Sequence, residues 1–296
     1  MKNILTIIFR LTLSCILAGT VMGTTFVLTN KAKTKNEHAK EERVAFSLLG
    51  FEGEVPQEVA MTTVYRYVVS QGNDQFIGYL LESGEGAEKE YTFIQIDLEG
   101  ELASTDPVAL DDTAARQAKE RDAAIREAVG PGRDIRFAEQ FQVITENGKR
   151  VAYLLSGKFP GFKTHIAVML ALRTDFSIIG FEVLEHEEDP GLGGEIEQDY
   201  FKNQFNGKPF DVLKSLEVVK EPIPDEYLQA LEVKVEPQDL DKIMAEYRGN
   251  DIYAITGATI SAVAVTDGLK GMTKKFAYRI NIMDSVIDSQ NISVSL

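Results

Sequence analysis

Apolar and polar residues divide the chain into a long uncharged run near its start and a larger mixed region after it. Residues 11–30 contain no charged side chain, and about 20 apolar residues suffice for a helix to cross a bilayer. The run therefore predicts a single transmembrane helix. Basic residues lie on both sides of it, so the flanking charges do not decide its orientation. The alternative is a cleaved signal peptide. Its apolar core is shorter, about 7–15 residues, and the small residues here resemble a cleavage site only loosely.

The region after the apolar run begins with a polar segment and continues in patterns typical of strands. Residues 31–45 are mostly polar and charged, so we interpret them as a juxtamembrane stalk. Between residues 64 and 103, segments rich in β-branched and aromatic residues are separated by turn residues, which predicts strands. The same signals return in the segments Phe141–Thr145, Val151–Leu155, His165–Leu172 and Ile178–Leu184. Together these patterns predict a twisted, mainly antiparallel sheet.

Two segments carry helical patterns and would flank this sheet. Residues 111–129 are rich in helix formers, contain few large apolar residues and end at Gly-Pro-Gly, which predicts one mostly solvated helix. Further along, apolar residues recur at three- and four-residue spacing, which predicts an amphipathic helix. This apolar stripe consists of Ala262, Val265, Leu269, Met272 and Phe276. The fold class is therefore α+β.

The predicted organisation after the stalk has three parts. A soluble domain covers residues 141–280, a β-rich and helical extension at 46–140 precedes it, and a C-terminal tail at 281–296 follows. Two stretches look alike: Tyr79–Leu81 precedes one strand by nearly the same spacing with which Tyr153–Leu155 precedes another. They suggest a degenerate internal repeat, although hairpins of β-rich sequence resemble one another in any case. Both interpretations stay open.

Composition and charge narrow the function classes. The 46 acidic residues outnumber the 31 basic ones, which gives a net charge of −15. Such a field repels phosphates, so we expect no nucleic-acid partner. The single cysteine, Cys15, excludes an intramolecular disulfide and clusters that need several thiolates. Within an apolar run we interpret Cys15 as a small hydrophobic residue, with palmitoylation or redox activity as the alternatives.

A first candidate motif stands where the last helix is predicted to begin. It reads Thr256-Gly257-Ala258-Thr259-Ile260-Ser261. Small residues let a backbone approach a ligand closely, and the first turn of a helix offers free N–H groups to an anion. The residues alone also fit an ordinary threonine or serine cap on a surface helix.

Two further motifs precede it. The segment 186–194, His-Glu-Glu-Asp-Pro-Gly-Leu-Gly-Gly, follows a predicted strand, and its glycines favour a loop that can lie against a flat ligand. Neighbouring ligands from so short a segment rarely complete a metal shell, so we predict no metal site. The segment 201–210 has aromatic residues at i and i+4 and then a turn, which by itself predicts a packing element with a surface lysine, Lys208.

Taken in order behind an anchor, the motifs Glu188–Gly193, Gln204–Lys208 and Thr256–Ser261 resemble the FMN-binding domain family of bacterial electron-transport complexes. The resemblance covers the anchor and roughly residues 140–280. It is greatest to the G subunit of Rnf complexes, and next to the C subunit of sodium-pumping NADH:quinone reductases.

The resemblance implies a cofactor and its site. A flavin transferase would attach FMN through a phosphoester to Thr259, and the expected contacts around the flavin are Thr256, Gly257, Ala258, Ser261, Glu188, Gly191, Leu192, Gly193 and Lys208. The implied function is a flavoprotein subunit of an ion-translocating ferredoxin:NAD oxidoreductase, with no catalytic residue and incomplete without other membrane and redox subunits. The implied location is the bacterial inner membrane, with residues 1–10 on the cytoplasmic side and the soluble domain on the extracytoplasmic side.

Two departures from the family pattern stand near the implied site. Asp189 replaces a threonine, and its charge would lower the flavin's reduction potential by disfavouring anionic reduced forms. Tyr253 stands where the transferase recognition pattern has an aspartate, with Asp251 two residues earlier. The alternatives are a quinone-reductase C-type subunit or another reductase's flavin domain. A membrane-tethered binding module without redox activity, in which Thr259 is only a helix cap, is a further alternative of a different class.

Overall fold

The computed structural model describes residues 2–51, 55–83 and 89–296, and one large antiparallel sheet organises them. Its strands lie in the order β4-β3-β2-β1-β5-β6-β7-β8. They are β1 Val59–Gln71, β2 Asp74–Ser83, β3 Glu90–Ile96, β4 Leu102–Val108, β5 Asp134–Glu146, β6 Lys149–Pro160, β7 His165–Arg173 and β8 Ile178–Glu185. A separate parallel pair consists of β9 Val218–Val219 and β10 Ile252–Tyr253.

Helices flank the sheet, which confirms the predicted α+β class. They are α1 Lys2–Leu48, α2 Asp112–Arg116, α3 Ala118–Val129, α4 Asp199–Lys202, α5 Phe210–Ser215, α6 Asp225–Leu231, α7 Pro237–Tyr247 and α8 Thr259–Gln290. Two 3₁₀ turns, Gly193–Glu197 and Asn203–Phe205, lie between β8 and α5.

The sheet consists of two four-stranded meanders joined through their first strands. β1 pairs with β5 in antiparallel register over their whole length, so the halves are related by an approximate two-fold axis. Tyr79 and Tyr153 occupy corresponding second strands and face the same side of the sheet. This topology is consistent with the internal repeat. The predicted domain boundary at residues 140 and 141 falls inside β5, so the two halves share one sheet.

One face of the sheet is covered by α8, whose predicted apolar stripe packs into the largest core cluster. The ring of Phe276 meets Phe141 and Tyr153 edge-on, at centroid distances of 5.0 and 4.9 Å. The segment 281–296, predicted as a tail, instead continues α8 to Gln290 and buries Met283 in the same core. A helix laid along the sheet needs this length because it crosses many strands.

On the opposite face, α3 covers the first meander, and the predicted single solvated helix is corrected there. The helix is interrupted at Gln117 and buries Arg121 beneath the sheet. Its guanidinium donates to the Tyr67 hydroxyl at 2.6 Å and to the Ala115 carbonyl at 2.9 Å, and lies 4.0 Å above the Tyr65 ring. The aromatic partners come from β1, some 50 residues earlier, so the local pattern did not reveal them.

The same face of the second meander is covered by the end of α1. Ala45 is buried there among residues of β5, β6 and β7, and the Lys40 ammonium donates to the Leu184 carbonyl at 2.5 Å. The predicted stalk is therefore helical and continuous with the apolar run. Within α1, the segment Thr6–Phe26 is long and apolar enough to cross a membrane, and it is exposed, including Cys15.

Candidate functional site

Three chain segments meet at one end of the second meander and enclose a cavity of about 290 Å³. They are the turn between β6 and β7, the loop after β8 and the start of α8. The cavity is lined by Phe162, Glu188, Asp189, Leu192, Gly193, Gly257, Ala258, Thr259, Ile260 and Ser261. The structure thus brings the first two predicted motifs, which are more than 60 residues apart in sequence, to a single site.

Glu188 joins the three walls of this cavity. Its carboxylate is only 5% exposed, and one oxygen accepts a hydrogen bond from the Ser261 hydroxyl at 2.5 Å. The other oxygen accepts from the backbone N–H groups of Phe162 and Lys163, at 2.8 and 3.1 Å. Because both oxygens accept hydrogen bonds from other walls of the site, Glu188 holds these walls together. It also lines the cavity, and its direct contact with a flavin stays a prediction.

The glycine loop depends on close approach at one position and on backbone conformation at others. A Cβ on Gly193 would lie 2.5 Å from the Glu188 carboxylate and 2.6 Å from the Ser261 hydroxyl oxygen. Gly191 and Gly257 instead adopt positive φ angles of 72° and 77°, which favour glycine. A Cβ on Gly191 would meet open space, and this residue does not line the cavity.

His186 shapes the same loop from within. Its Nδ1 accepts from the Glu188 backbone N–H at 3.0 Å, so Nε2 carries the proton and points to the Glu197 carboxylate at 3.2 Å. Both ring nitrogens are therefore occupied by protein partners. Among the residues that the structure describes, no group of histidine, cysteine and acidic side chains is arranged to hold a metal ion.

Thr259 is the first residue of α8 and is half-buried at the cavity wall. The cap position before it is occupied by Ala258, which makes no side-chain capping bond. Thr259 is therefore not the N-cap residue of α8, which was the alternative interpretation of this motif. Because the first-turn N–H groups of a helix have no intrahelical acceptor, this turn can receive an anionic group. Thr256 is exposed and lies outside the cavity lining.

The motif Gln204–Lys208 contacts the segment that precedes α8. The buried side chain of Gln204 accepts from the Tyr253 backbone N–H at 2.7 Å and donates to the Tyr253 carbonyl at 3.2 Å. Lys208 is 1% exposed, and its ammonium donates to the carbonyls of Arg248 and Asn250. Burial lowers the pKa of Lys208 to about 8, and Asp251 partly offsets that shift.

These contacts correct the predicted place of Lys208. It is neither a surface lysine nor a residue of the cavity, because its ammonium is held by carbonyls some 40 residues further along the chain. Sequence reasoning could not find this arrangement, since the acceptors are backbone atoms of a turn and leave no pattern of their own.

The structure shows what the residues at the two departures from the family pattern contact. Asp189 pairs with the Lys163 ammonium at 2.5 Å, so its charge is compensated locally and its expected effect on a flavin's potential is smaller. Asp251 accepts from the Glu217 backbone N–H at 2.9 Å, which ties β10 to the chain before β9. The Tyr253 ring meets Tyr227 edge-on, 6.1 Å between centroids.

Three cavity residues were not among the predicted contacts: Asp189 and Ile260, which lie within the motifs, and Phe162, which lies outside them. Phe162 follows Pro160 and Gly161 in the turn between β6 and β7, and its side chain is 58% exposed. A large aromatic residue at the tip of a hairpin has no packing role there. The one signal in the sequence is a phenylalanine that directly follows Pro160 and Gly161, at a position where a turn is expected.

The residues present fit FMN. Apolar side chains of Phe162, Leu192 and Ile260 suit an isoalloxazine ring, the glycine loop admits a flat group closely, and the uncapped turn of α8 suits a phosphate. Ligand pockets commonly hold about 300–1,000 Å³, so a cavity of about 290 Å³ would leave part of the flavin exposed.

Comparison with known proteins shows what this part of the chain is similar to. Residues 161–274 match the family described as FMN-binding domain. This match confirms the resemblance drawn from the three motifs, and it covers the turn of Phe162, the glycine loop and the first half of α8.

Two curated relatives define the resemblance further. The chain is 30% identical over 125 residues to the G subunit of the proton-translocating ferredoxin:NAD(+) oxidoreductase complex of Clostridium ljungdahlii, covering 42% of this chain and 53% of that one. It is 29% identical over 130 residues to the G subunit of the ion-translocating oxidoreductase complex of Methanosarcina acetivorans, covering 44% and 53%. The chain thus spans about half the length of the curated relatives it matches.

Solved structures of the C subunit of sodium-translocating NADH-quinone reductases are more distant. NqrC of Shewanella oneidensis is 15% identical, with a TM-score of 0.43 over 80% of this chain and 91% of that one. The Parabacteroides distasonis protein is 21% identical, with a TM-score of 0.31 over 56% and 67%. These likenesses are too weak to carry an argument about function.

Proposed function

We propose that this chain is a membrane-anchored flavoprotein subunit of an ion-translocating electron-transport complex of the ferredoxin:NAD oxidoreductase type. One observation carries the proposal. The uncapped first turn of α8, which begins at Thr259, forms one wall of a cavity whose other walls are a glycine loop and Phe162. The FMN-binding domain match and the two curated relatives, both G subunits, support the same conclusion.

FMN is attached in this proposal through a phosphoester to the Thr259 hydroxyl. A phosphodiester keeps one negative charge, which the first-turn N–H groups and the dipole of α8 stabilise. The helix is 32 residues long and its remaining length is anchored in the core, so the attachment point is rigid. A covalent bond also retains the flavin on the extracytoplasmic side, where no cytoplasmic pool could replace it.

The flavin supplies the electron-carrying chemistry, and the chain supplies its placement. Phe162, Leu192 and Ile260 exclude water from part of the ring, while Glu188 and Ser261 hold the walls in register. The sequence has one cysteine and no nicotinamide-binding fingerprint after a strand, so iron–sulfur and nicotinamide chemistry belong to partner subunits. The chain is not catalytically complete alone.

The membrane anchor in this proposal is the apolar part of α1. The apolar segment Thr6–Phe26 crosses the membrane once, and the remainder of α1 leads to the sheet. The partners are the other membrane and redox subunits of the complex, and a flavin transferase acts during maturation.

The test is to locate the flavin in denatured protein. The full chain is coexpressed with a flavin transferase, denatured, separated on a gel and viewed by flavin fluorescence, and the labelled peptide is identified by mass spectrometry. Wild type and the control Thr256→Ala should fluoresce, and Thr259→Ala should not. Thr256 is a matched control because it is a threonine of the same motif that lies outside the cavity. A colourless wild-type band, or a fluorescent Thr259→Ala band, contradicts covalent attachment at Thr259.

A further inference from the structure

A group of exposed apolar side chains surrounds the flavin cavity. Phe162, Leu192 and Ile260 line the cavity yet remain 58%, 46% and 61% exposed. Val263 lies one turn after Ile260 on α8 and is 38% exposed, outside the cavity lining. We call these four residues the apolar face. Contiguous exposed apolar surface rimmed by polar residues marks interaction sites.

The rim beside this face is strongly acidic. Residues 182–199, which include the glycine loop, contain eight carboxylates and no lysine or arginine. Lysines from outside the segment compensate three of them: Lys163 pairs with Asp189, and Lys202 pairs with both Glu182 and Asp199. Glu185 and Glu187 are exposed on either side of His186 at the end of β8 and contribute uncompensated negative charge to the rim.

We propose that the apolar face is the docking surface for an electron-transfer partner whose own redox centre lies at an apolar patch ringed by lysine and arginine. This inference rests on the proposed function, because docking there brings a partner to the exposed part of the flavin. A basic ring complements the acidic rim, steers the encounter and orients the two centres. Redox encounters of this kind use small interfaces, under about 1,200 Å².

The charge pattern disfavours the other occupants of an exposed apolar face. A second copy of this chain would present the same acidic rim and be repelled. An anionic membrane surface would be repelled for the same reason. The basic partner is therefore the occupant that the surface favours.

The test measures how fast the reduced flavin of the full, flavin-loaded chain in detergent passes electrons to three oxidants. One is a small haem protein with lysines around its exposed haem edge, one is an acidic haem protein of similar size, and one is an uncharged water-soluble quinone. Each haem iron accepts one electron, so two haem proteins oxidise one reduced flavin, which releases its protons to solvent.

The basic haem protein should react about 10- to 1,000-fold faster than the acidic one at low salt, and its rate should fall as salt rises. The pair Glu185→Gln/Glu187→Gln should slow it about 3- to 10-fold at low salt and leave the quinone rate unchanged. The control pair Glu120→Gln/Glu127→Gln removes two exposed charges from α3, which covers the opposite face of the other meander, and should have less than about a 2-fold effect. Val263→Asn should slow the basic protein at every salt concentration.

Three results would overturn the proposal. One is equal rates for the two haem proteins without salt dependence. Another is an equal effect of the α3 control pair, which would mean that only net charge matters. The third is a change in the chain's own oligomeric state with Val263→Asn, which would assign the face to a second copy. Failure of the reduced chain to react with the uncharged quinone would instead overturn the proposed function, and this inference with it.

Discussion

Replacing Gly193 by alanine should destabilise the flavin site through one steric conflict. The new methyl group would lie 2.5 Å from the Glu188 carboxylate and 2.6 Å from the Ser261 hydroxyl oxygen. Neither neighbour can withdraw freely, because Glu188 is also held by two backbone N–H groups from the turn after β6. Either the bond between Ser261 and Glu188 breaks, or the glycine loop moves away from α8.

The magnitude follows from these two alternatives. Overpacking a close contact costs about 1–3 kcal/mol, and a buried hydrogen bond to a charged acceptor contributes about 1.5–3 kcal/mol. Losing the hydrogen bond relieves only the contact with Ser261, so overpacking against Glu188 remains and the two costs add. We therefore expect Gly193→Ala to lower the free energy of unfolding by about 2.5–6 kcal/mol. With an unfolding entropy of about 2.1 cal/mol/K per residue, that corresponds in a chain of this size to a melting temperature lower by roughly 4–10 °C.

The assay is thermal unfolding of the full chain in detergent, with Gly191→Ala as the control. Gly191 lies in the same loop with a φ of 72° and open space where a Cβ would point. Its replacement should cost only about 1–2 kcal/mol of backbone strain. The double variant Gly193→Ala/Ser261→Ala should lose less stability than the sum of its single variants, because the serine oxygen is part of the conflict. Equal losses for Gly193→Ala and Gly191→Ala, or strict additivity, would refute the reasoning.

Three further predictions concern residues that support the site. Gln204→Leu should cost about 2–4 kcal/mol in chemical denaturation, because both backbone groups of Tyr253 lose their partner, and it should lower the flavin fluorescence of the denatured band. Lys208 has a folded pKa of about 8, below its unfolded value, so the unfolded chain binds more protons between the two. Stability should therefore rise from pH 8 to 9.5, by up to about 2 kcal/mol, and Lys208→Met should remove that rise. Asp189→Thr should raise the flavin's reduction potential in a spectroscopic titration and Lys163→Met should lower it, while the double variant should return near the wild-type value.

The sequence predicted the elements whose signals are local. The strands between residues 141 and 184 follow from their β-branched and aromatic content, and the apolar stripe of α8 from its spacing, because each pattern reports a face packed against the sheet. The helical segment at 111–129 was predicted at the correct place, but the prediction that it is one mostly solvated helix was wrong. Arg121 has the pattern of a solvated charge, whereas the hydroxyl of Tyr67 and the ring of Tyr65 bury it.

The candidate site was predictable in part. The motifs containing Thr259 and Gly193 were found because glycine and threonine at these spacings are typical of ligand loops and helix starts. Lys208 was misplaced because its partners are carbonyl groups, which any residue carries. Phe162 was missed because a single aromatic residue in a turn forms no pattern until the chain brings it beside Glu188.

The continuity of α1 determines how the flavin domain can move. If Thr6–Phe26 lies in the bilayer, the 13 helical residues before Lys40 form a strut about 20 Å long. Such a rigid helix fixes both the height of the cavity above the membrane and its orientation about the membrane normal. A flexible linker would fix neither. Each residue added to the helix would lift the domain by about 1.5 Å and turn it by about 100°. The length of this helix therefore acts together with the apolar face in selecting which neighbour the flavin faces.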